Sequence, residues 1–319
     1  MEPSHPFPAP SSTLHPQWWR IARSSMGFVL DTFGSGRGPG NVIDPLIMVM
    51  VFEANLAPIN QDPELSRRYA ALDSAPPDDL RRPVSINAVA ASLRLPYETV
   101  RRRTARLVET GALVSTRTGV YVPSETFENP FILAAATARY RRTKAFYFDL
   151  KGMGALDGLN PNPPGAPVHE APPIRAANRI IAEYVLRVID AIMRRIGDPV
   201  SGLILLELAS ANAEHLDPIE RLVEGPIPDE RRTPVSVLEL SRRVGLPAET
   251  VRRHVKKMET AGFCRPVKGG KLAALEQLGR NPDGVNSLAD NLQNVQRLFG
   301  RCAALGIVAR WEGEGPDAG

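Results

Sequence analysis

Two short runs of side chains in this chain are suited to one kind of chemistry. Tyr97, Thr99, Arg101, Arg102, Arg103 and Arg106 form the first, and Ala248, Thr250, Arg252, Arg253, His254, Lys256 and Lys257 form the second. A guanidinium is a planar fork of donors that satisfies two acceptors at once, on phosphate oxygens or on guanine O6 and N7. Lysine neutralises phosphate as a point charge, and a threonine methyl can meet the methyl of thymine. Between residues 94 and 106 five arginines face one acid, Glu98, and between 242 and 257 six Arg/Lys face one acid, Glu249. The chain as a whole carries only +4, with a pI of about 9.2, so its base is concentrated where a polyanion can use it. The bland reading of the same residues is a solvated helix face. Glu98 and Glu249 read first as acids favourable to a helix N-terminus, and second as acceptors for cytosine N4.

Other chemistries find less support. The five histidines are scattered, and none stands with carboxylates or cysteines at metal-ligand spacing. Cys264 and Cys302 make neither a disulfide framework nor a zinc pattern. The glycine-rich stretch GSGRGPG at 34–40 lacks the Lys-Ser/Thr ending of a phosphate loop. With no nucleophile elbow and no paired acids, the expectation is a protein that is not an enzyme and needs no cofactor or metal. Aromatic residues are 6% of the chain, too few for a large stacking surface on single strands. The proline-bearing start lacks a basic-then-apolar leader, and the apolar runs near Leu46 to Phe52 and Leu203 to Leu206 are short for a membrane span. A cytoplasmic, nucleoid-associated protein is expected.

The elements that position the basic runs repeat. Residues 83–111 and 234–262 align without gaps at an offset of 151, with eleven identities in 29 positions, among them the block ETVRR. Helices are expected before each copy, at 17–33 and 176–196, and after each, at 129–145 and 286–304. Connections at 57–82 and 213–233 are rich in helix breakers. Residues 157–174, DGLNPNPPGAPVHEAPPI, form a linker. This divides the chain into a disordered tail (1–15), a first repeat (16–156), a second repeat (175–311) and a last tail (312–319).

Within the second copy, Ser236 followed by Glu239 is a capping box. Val237, Leu240 and Val244 then share a face, Gly245 stops the helix, and Pro247 opens another that buries Val251, Val255 and Met258. The first copy repeats the plan, with Arg94 in place of the turn glycine. A strand–turn–strand pattern follows each, at 112–122 around Thr118-Gly119 and at 263–273 around Gly269-Gly270. Arg117 marks one hairpin tip, Lys268 and Lys271 the other. Arg139, Tyr140, Arg141, Arg142 and Lys144 are a further basic cluster, suited to flanking phosphate or to a solvated helix end.

Taken with its cap and hairpin, TVRRHVKKMETAGF resembles the winged helix-turn-helix of bacterial regulators such as the MarR, IclR and ArsR groups. The resemblance covers about 40 residues per copy, and no ligand-sensing domain of the IclR type accompanies it. It implies that helices 96–109 and 247–260 enter a DNA major groove while the hairpins reach the backbone or the minor groove. The expected fold is mainly α with two small β-wings, in a pseudo-twofold arrangement of tandem winged helix-turn-helix domains. The expected partner is double-stranded DNA, with two half-sites that differ because Tyr97 and Arg103 are matched by Ala248 and His254. Pairing of two chains is compatible with this, and no polar constellation points to a small-molecule effector. Alternatives are a plasmid- or phage-type replication initiator and a winged-helix protein-interaction module of the chromosome-segregation type.

Overall fold

The structure is a computed structural model, and it describes residues 17–34, 41–217, 220–276 and 282–317. The first tail and most of the 34–40 glycine stretch lie outside these. The first half runs α1 (Gln17–Gly34), α2 (Ile43–Gln61), α3 (Pro63–Arg68), α4 (Ile86–Leu93), α5 (Tyr97–Glu109), a hairpin of β1 (Val114–Ser115) and β2 (Val120–Tyr121), and α6 (Pro130–Gly152). The second runs α7 (Ile174–Ile196), α8 (Pro199–Asn212), α9 (Val237–Val244), α10 (Ala248–Thr260), a hairpin of β3 (Cys264–Val267) and β4 (Gly270–Ala273), α11 (Pro282–Ala304) and α12 (Ile307–Glu314). The protein is mainly helical.

Four helices make the centre. Phe28 of α1 stacks on Phe146 of α6 at 4.5 Å, Phe146 meets Phe299 of α11 at 5.7 Å, and Phe28 meets Tyr184 of α7 at 5.8 Å. Each ring is fully buried, which stabilises the junction by roughly 1.5–3 kcal/mol per side chain. The halves cross over this centre: α2 packs on α7 and α8 packs on α1. Two arginines, Arg179 buried and Arg23 half-buried, clamp the crossing. Arg179 of α7 donates to the carbonyls of Tyr69 (2.7 Å) and Ser66 (2.9 Å) in the first half's connection. Arg23 of α1 donates to Gly225 (2.7 Å) and Val223 in the second half's. One continuous apolar core therefore runs from Ile21 to Trp311.

Each hairpin is joined by a third short strand segment. Val84 bridges Val120, and Val235 bridges Lys271. The chains come so close there that a Cβ on Gly119 would strike the Val84 carbonyl, and one on Gly270 that of Val235. Only glycine fits at those two positions.

Four expectations change. The apolar segment from Leu46 belongs to a 19-residue helix, α2, that is long and apolar enough to cross a membrane by length and composition. Its Leu46, Ile47, Val51, Leu56 and Ile59 are buried in the protein core, the other place where a helix apolar on every side belongs. The connection at 57–82 begins as helix, through the end of α2 and α3. The C-terminal tail is ordered through residue 317: Trp311 is buried, Glu312 takes a bond from Lys151 at 2.6 Å, and Lys144 reaches Glu314 at 3.0 Å and Asp317 at 2.7 Å. Finally, the Arg139–Lys144 cluster is mostly internal, with Arg141 its exposed member. Tyr140 and Lys144 are buried, Arg139 is held by Asn178 (2.8 Å), and Arg142 pairs with Asp31 (2.7 Å).

Candidate nucleic-acid interface

Local signals build the two basic helices. The Ser85 hydroxyl accepts the Ala88 amide and the Ser236 hydroxyl that of Glu239, each at 3.1 Å, starting α4 and α9. Both helices end in a left-handed residue, Gly245 at φ 64° and Arg94 at φ 50°. A side chain at that φ is strained. Arg94 offsets the strain by donating to the Met193 carbonyl (3.3 Å) at the C-terminal end of α7, where a cation is favoured. The other turn is held reciprocally, the Val42 amide donating to the Val244 carbonyl at 3.1 Å. Each turn is thus fixed by a segment of the opposite half.

The helices that follow have three faces. The inner face buries Val100 and Thr104 in α5, and Val251, Val255 and Met258 in α10. A side face turns toward the start of α2 in the first half and of α8 in the second. There Arg103 lies 3.5 Å from Asp44, while His254 hydrogen-bonds Ser201 at 2.8 Å beside Asp198, which also takes Lys257 at 2.9 Å. Arg103 and His254 are therefore spent on intramolecular contacts and only partly exposed. Burial lowers the His254 pKa below its usual value despite Asp198, with Arg253 and Lys257 adding to the effect. Burial alone would raise the Asp198 carboxyl, but hydrogen bonds from the Ser201 amide and hydroxyl and from Lys257 together hold it below the usual range.

The outer face carries the remaining base. Tyr97, Arg101, Arg102 and Arg106 are exposed on α5, as are Arg252, Arg253 and Lys256 on α10, with Lys257 exposed at the edge of this face while paired to Asp198. Thr99, Ala248 and Thr250 are half-buried at the first turn. Arg101 pairs with Glu98 at 2.6 Å, and Arg252 with Glu249 in the matching place. The Arg101 hydrogen bond lowers the Glu98 pKa. These acids act as helix-borne brackets for the arginines. At the hairpin tips Arg117 and Lys268 are exposed, whereas Lys271 is bound to Glu259. Among the described residues no three His, Cys, Asp or Glu side chains come together as a metal site. Burial pushes the thiols of Cys264 to about 11 and Cys302 to about 12, which keeps them unreactive.

Some supporting residues were missed by reading the basic helices alone. Asp78 takes Arg81 at 3.1 Å and Asp229 takes Arg232, both arginines being buried below the third strand segment. The signal was present: Pro77, Asp78 and Arg81 recur as Pro228, Asp229 and Arg232 at the same offset of 151. The role of Asp44 and Asp198 as anchors for α5 and α10 appears only in three dimensions.

Residues 234–263 match a family model described as winged helix-turn-helix DNA-binding. The match spans α9, the turn and α10, and ends just before the hairpin. No curated protein and no solved structure matches the chain.

Proposed function

We propose that this chain is a sequence-specific regulator of transcription that lays two recognition helices, α5 and α10, on two related half-sites of double-stranded DNA. Residues 234–263 form a winged helix-turn-helix DNA-binding domain, and the reading extends that assignment to residues 83–123. One observation carries the extension: the pair Arg101-Arg102 and the pair Arg252-Arg253 stand exposed at the same offset, each with its first arginine bracketed by the matching glutamate. A solvated helix face has no reason to repeat both the cations and their bracket. In this reading the tandem repeats descend from one duplicated module, and the crossed α1 and α7 helices hold the two modules as the subunits of a dimer are held.

Base-edge readout falls to the first turns of α5 and α10 through Tyr97, Thr99, Arg101, Arg102, Ala248, Thr250, Arg252 and Arg253. Arg106, Lys256, Lys257, Arg117 and Lys268 supply phosphate contacts. Arg103, His254 and Lys271 act as internal supports. A protein of this kind works inside the cell at the nucleoid. Footprinting on fragments recovered by genome-wide immunoprecipitation tests the reading. Two protected patches on one face of the duplex, roughly one helical turn or a multiple apart, support it. A single patch overturns the two-helix reading, and sites confined to a replication origin overturn the regulatory role.

A further inference from the structure

A cavity of about 760 Å³ opens between α2, α5, α6 and α7, within the size range of small-molecule sites. Its walls are apolar, with Met48, Phe52, Leu107, Leu133, Ile181 and Val185 contributed by all four helices. Set into those walls are five arginines, 103, 106, 139, 175 and 179, against a single lining acid, Asp44.

Most of these cations are already satisfied. Asp44 faces Arg103, Arg179 is spent on carbonyls, and Arg175 donates to the carbonyls of Leu72 (2.8 Å) and Phe127 (3.2 Å). Arg139 differs. Its Nε donates to Asn178 Oδ1 at 2.8 Å, and Asn178 is itself fixed by donating to the carbonyls of Ala136 (3.0 Å) and Ile174 (2.8 Å). The two terminal amines of Arg139 have no acceptor among the described residues, and no carboxylate neutralises it. Burial lowers its pKa to about 10, which leaves it a cation at neutral pH. Half-buried, its free amines open to the cavity and lacking a protein counter-ion, this cation favours an anion there.

The second half closes the corresponding wedge. Counted from the matching clamps Arg23 and Arg179, Trp18 and Trp19 of α1 stand where Ile174 and Arg175 stand in α7. Their indoles pack on Leu288 of α11, with Val285 and Leu292 beside them. The wedge of the second half is plugged by the two indoles of α1, and that of the first keeps space and a waiting cation.

We propose that the cavity of the first half binds a free apolar carboxylate, with the carboxylate on the Arg139 fork and the hydrocarbon or aromatic body along Met48, Phe52, Leu133 and Ile181. Because Arg106 and Leu107 of α5 belong to the same walls, occupancy alters how α5 is seated, and only one of the two modules responds. The binding claim stands on the cavity alone; the coupling rests on the DNA reading of α5.

Isothermal titration of the full chain with decanoate and with decanol tests the site. One decanoate per chain, at least tenfold tighter than decanol, is expected. Arg139→Gln weakens decanoate at least tenfold, and Ala136→Trp, which plugs the cavity without removing a cation, abolishes binding while leaving the unfolding midpoint in place. Equal affinity for decanol, more than one site per chain, or decanoate binding retained by Ala136→Trp overturns the proposal. Should Arg139→Gln fail to fold, Ala136→Trp decides. In the same samples, saturating decanoate shifts duplex affinity at least threefold in the unaltered chain and not in Ala136→Trp; an unchanged affinity overturns the coupling. A chain that binds decanoate but no duplex overturns the regulator reading and leaves the site standing.

Discussion

Asn55 and Asn212 do the same task in the two halves. Asn55, at the end region of α2, donates to the carbonyls of Arg82 (2.8 Å) and Val120 (3.3 Å) and accepts the Val122 amide (2.9 Å). Asn212, closing α8, donates to the carbonyls of Thr233 (2.8 Å) and Lys271 (3.0 Å) and accepts the Ala273 amide (3.0 Å). Both side chains are fully buried. Each fastens the helix that leads into a module to its third strand segment and its hairpin, so the wing cannot shift without the helix.

Replacing Asn212 by Leu fills the space but strands the buried Ala273 amide and the Thr233 carbonyl, while the Lys271 carbonyl keeps the Val235 amide. At about 1–3 kcal/mol for a buried group left unpaired, with partial relaxation, a loss of about 3 kcal/mol is expected. Asn55→Leu should cost a similar amount. Urea unfolding of each variant measures it, and a loss under about 0.5 kcal/mol would show that these bonds are replaced by others.

This pair also marks where sequence reading stops. The cap Ser236–Glu239, the turn at Gly245 and the helix-opening Pro247 were legible because each acts within four residues on its own backbone. Asn55 and Asn212 were not, since the connection from each to its module core differs in length, which takes the pair off the 151 offset of the cores. Arg103 and His254 read as outward cations because helical spacing alone cannot show that Asp44 and Asp198, more than fifty residues earlier, wait on that side. The C-terminal residues read as a tail because their composition is polar, and what orders them is a set of lysines and a tyrosine on distant α6.

That docking gives a second prediction. Lys144 is buried, and its ammonium is satisfied by Glu314 and Asp317. Removing residues 312–319 leaves the charge without an acceptor, and a loss of about 1–3 kcal/mol is expected. Adding Lys144→Met to the shortened chain should return most of it, because both halves of the interaction are then absent. Thermal or urea unfolding of the three chains decides; no recovery in the double variant assigns the loss to Glu312 and its bonds to Tyr147 and Lys151 instead.

His254 gives the fold an acid-sensitive joint. Its folded pKa lies below the ordinary 6.5, chiefly through burial. The unfolded chain takes up a proton that the folded chain resists, so the stability present above that ordinary value is lost as pH falls from it toward the folded value. Asp198 is also shifted downward, and its contribution is lost only below the usual carboxylate range of 3.8, outside this window. Urea midpoints at about pH 7.5 and about pH 5.5 should differ less in His254→Gln than in the unaltered chain. The same difference in both would place the acid sensitivity elsewhere.

The outward arginines make the sharpest comparison, because the structure ranks them. Arg102 and Arg253 are exposed, whereas Arg101 and Arg252 are engaged by Glu98 and Glu249 and must share or leave those acids to meet DNA. Arg102→Ala and Arg253→Ala should each weaken duplex binding by about 1–3 kcal/mol where the arginine reads a base, or lower the salt slope by about 1 where it meets phosphate. Arg101→Ala and Arg252→Ala should each cost less, since freeing the glutamate offsets part of the lost contact. Glu249→Gln releases Arg252 and removes a repelling charge, so it should raise affinity for random duplex and steepen the salt dependence. Arg103→Gln, on the side face, should leave affinity unchanged while lowering stability through loss of Asp44. Anisotropy titrations over a salt series measure all of these on one duplex. If Arg103→Gln weakens binding as much as Arg102→Ala does, the face assigned to DNA is the wrong one.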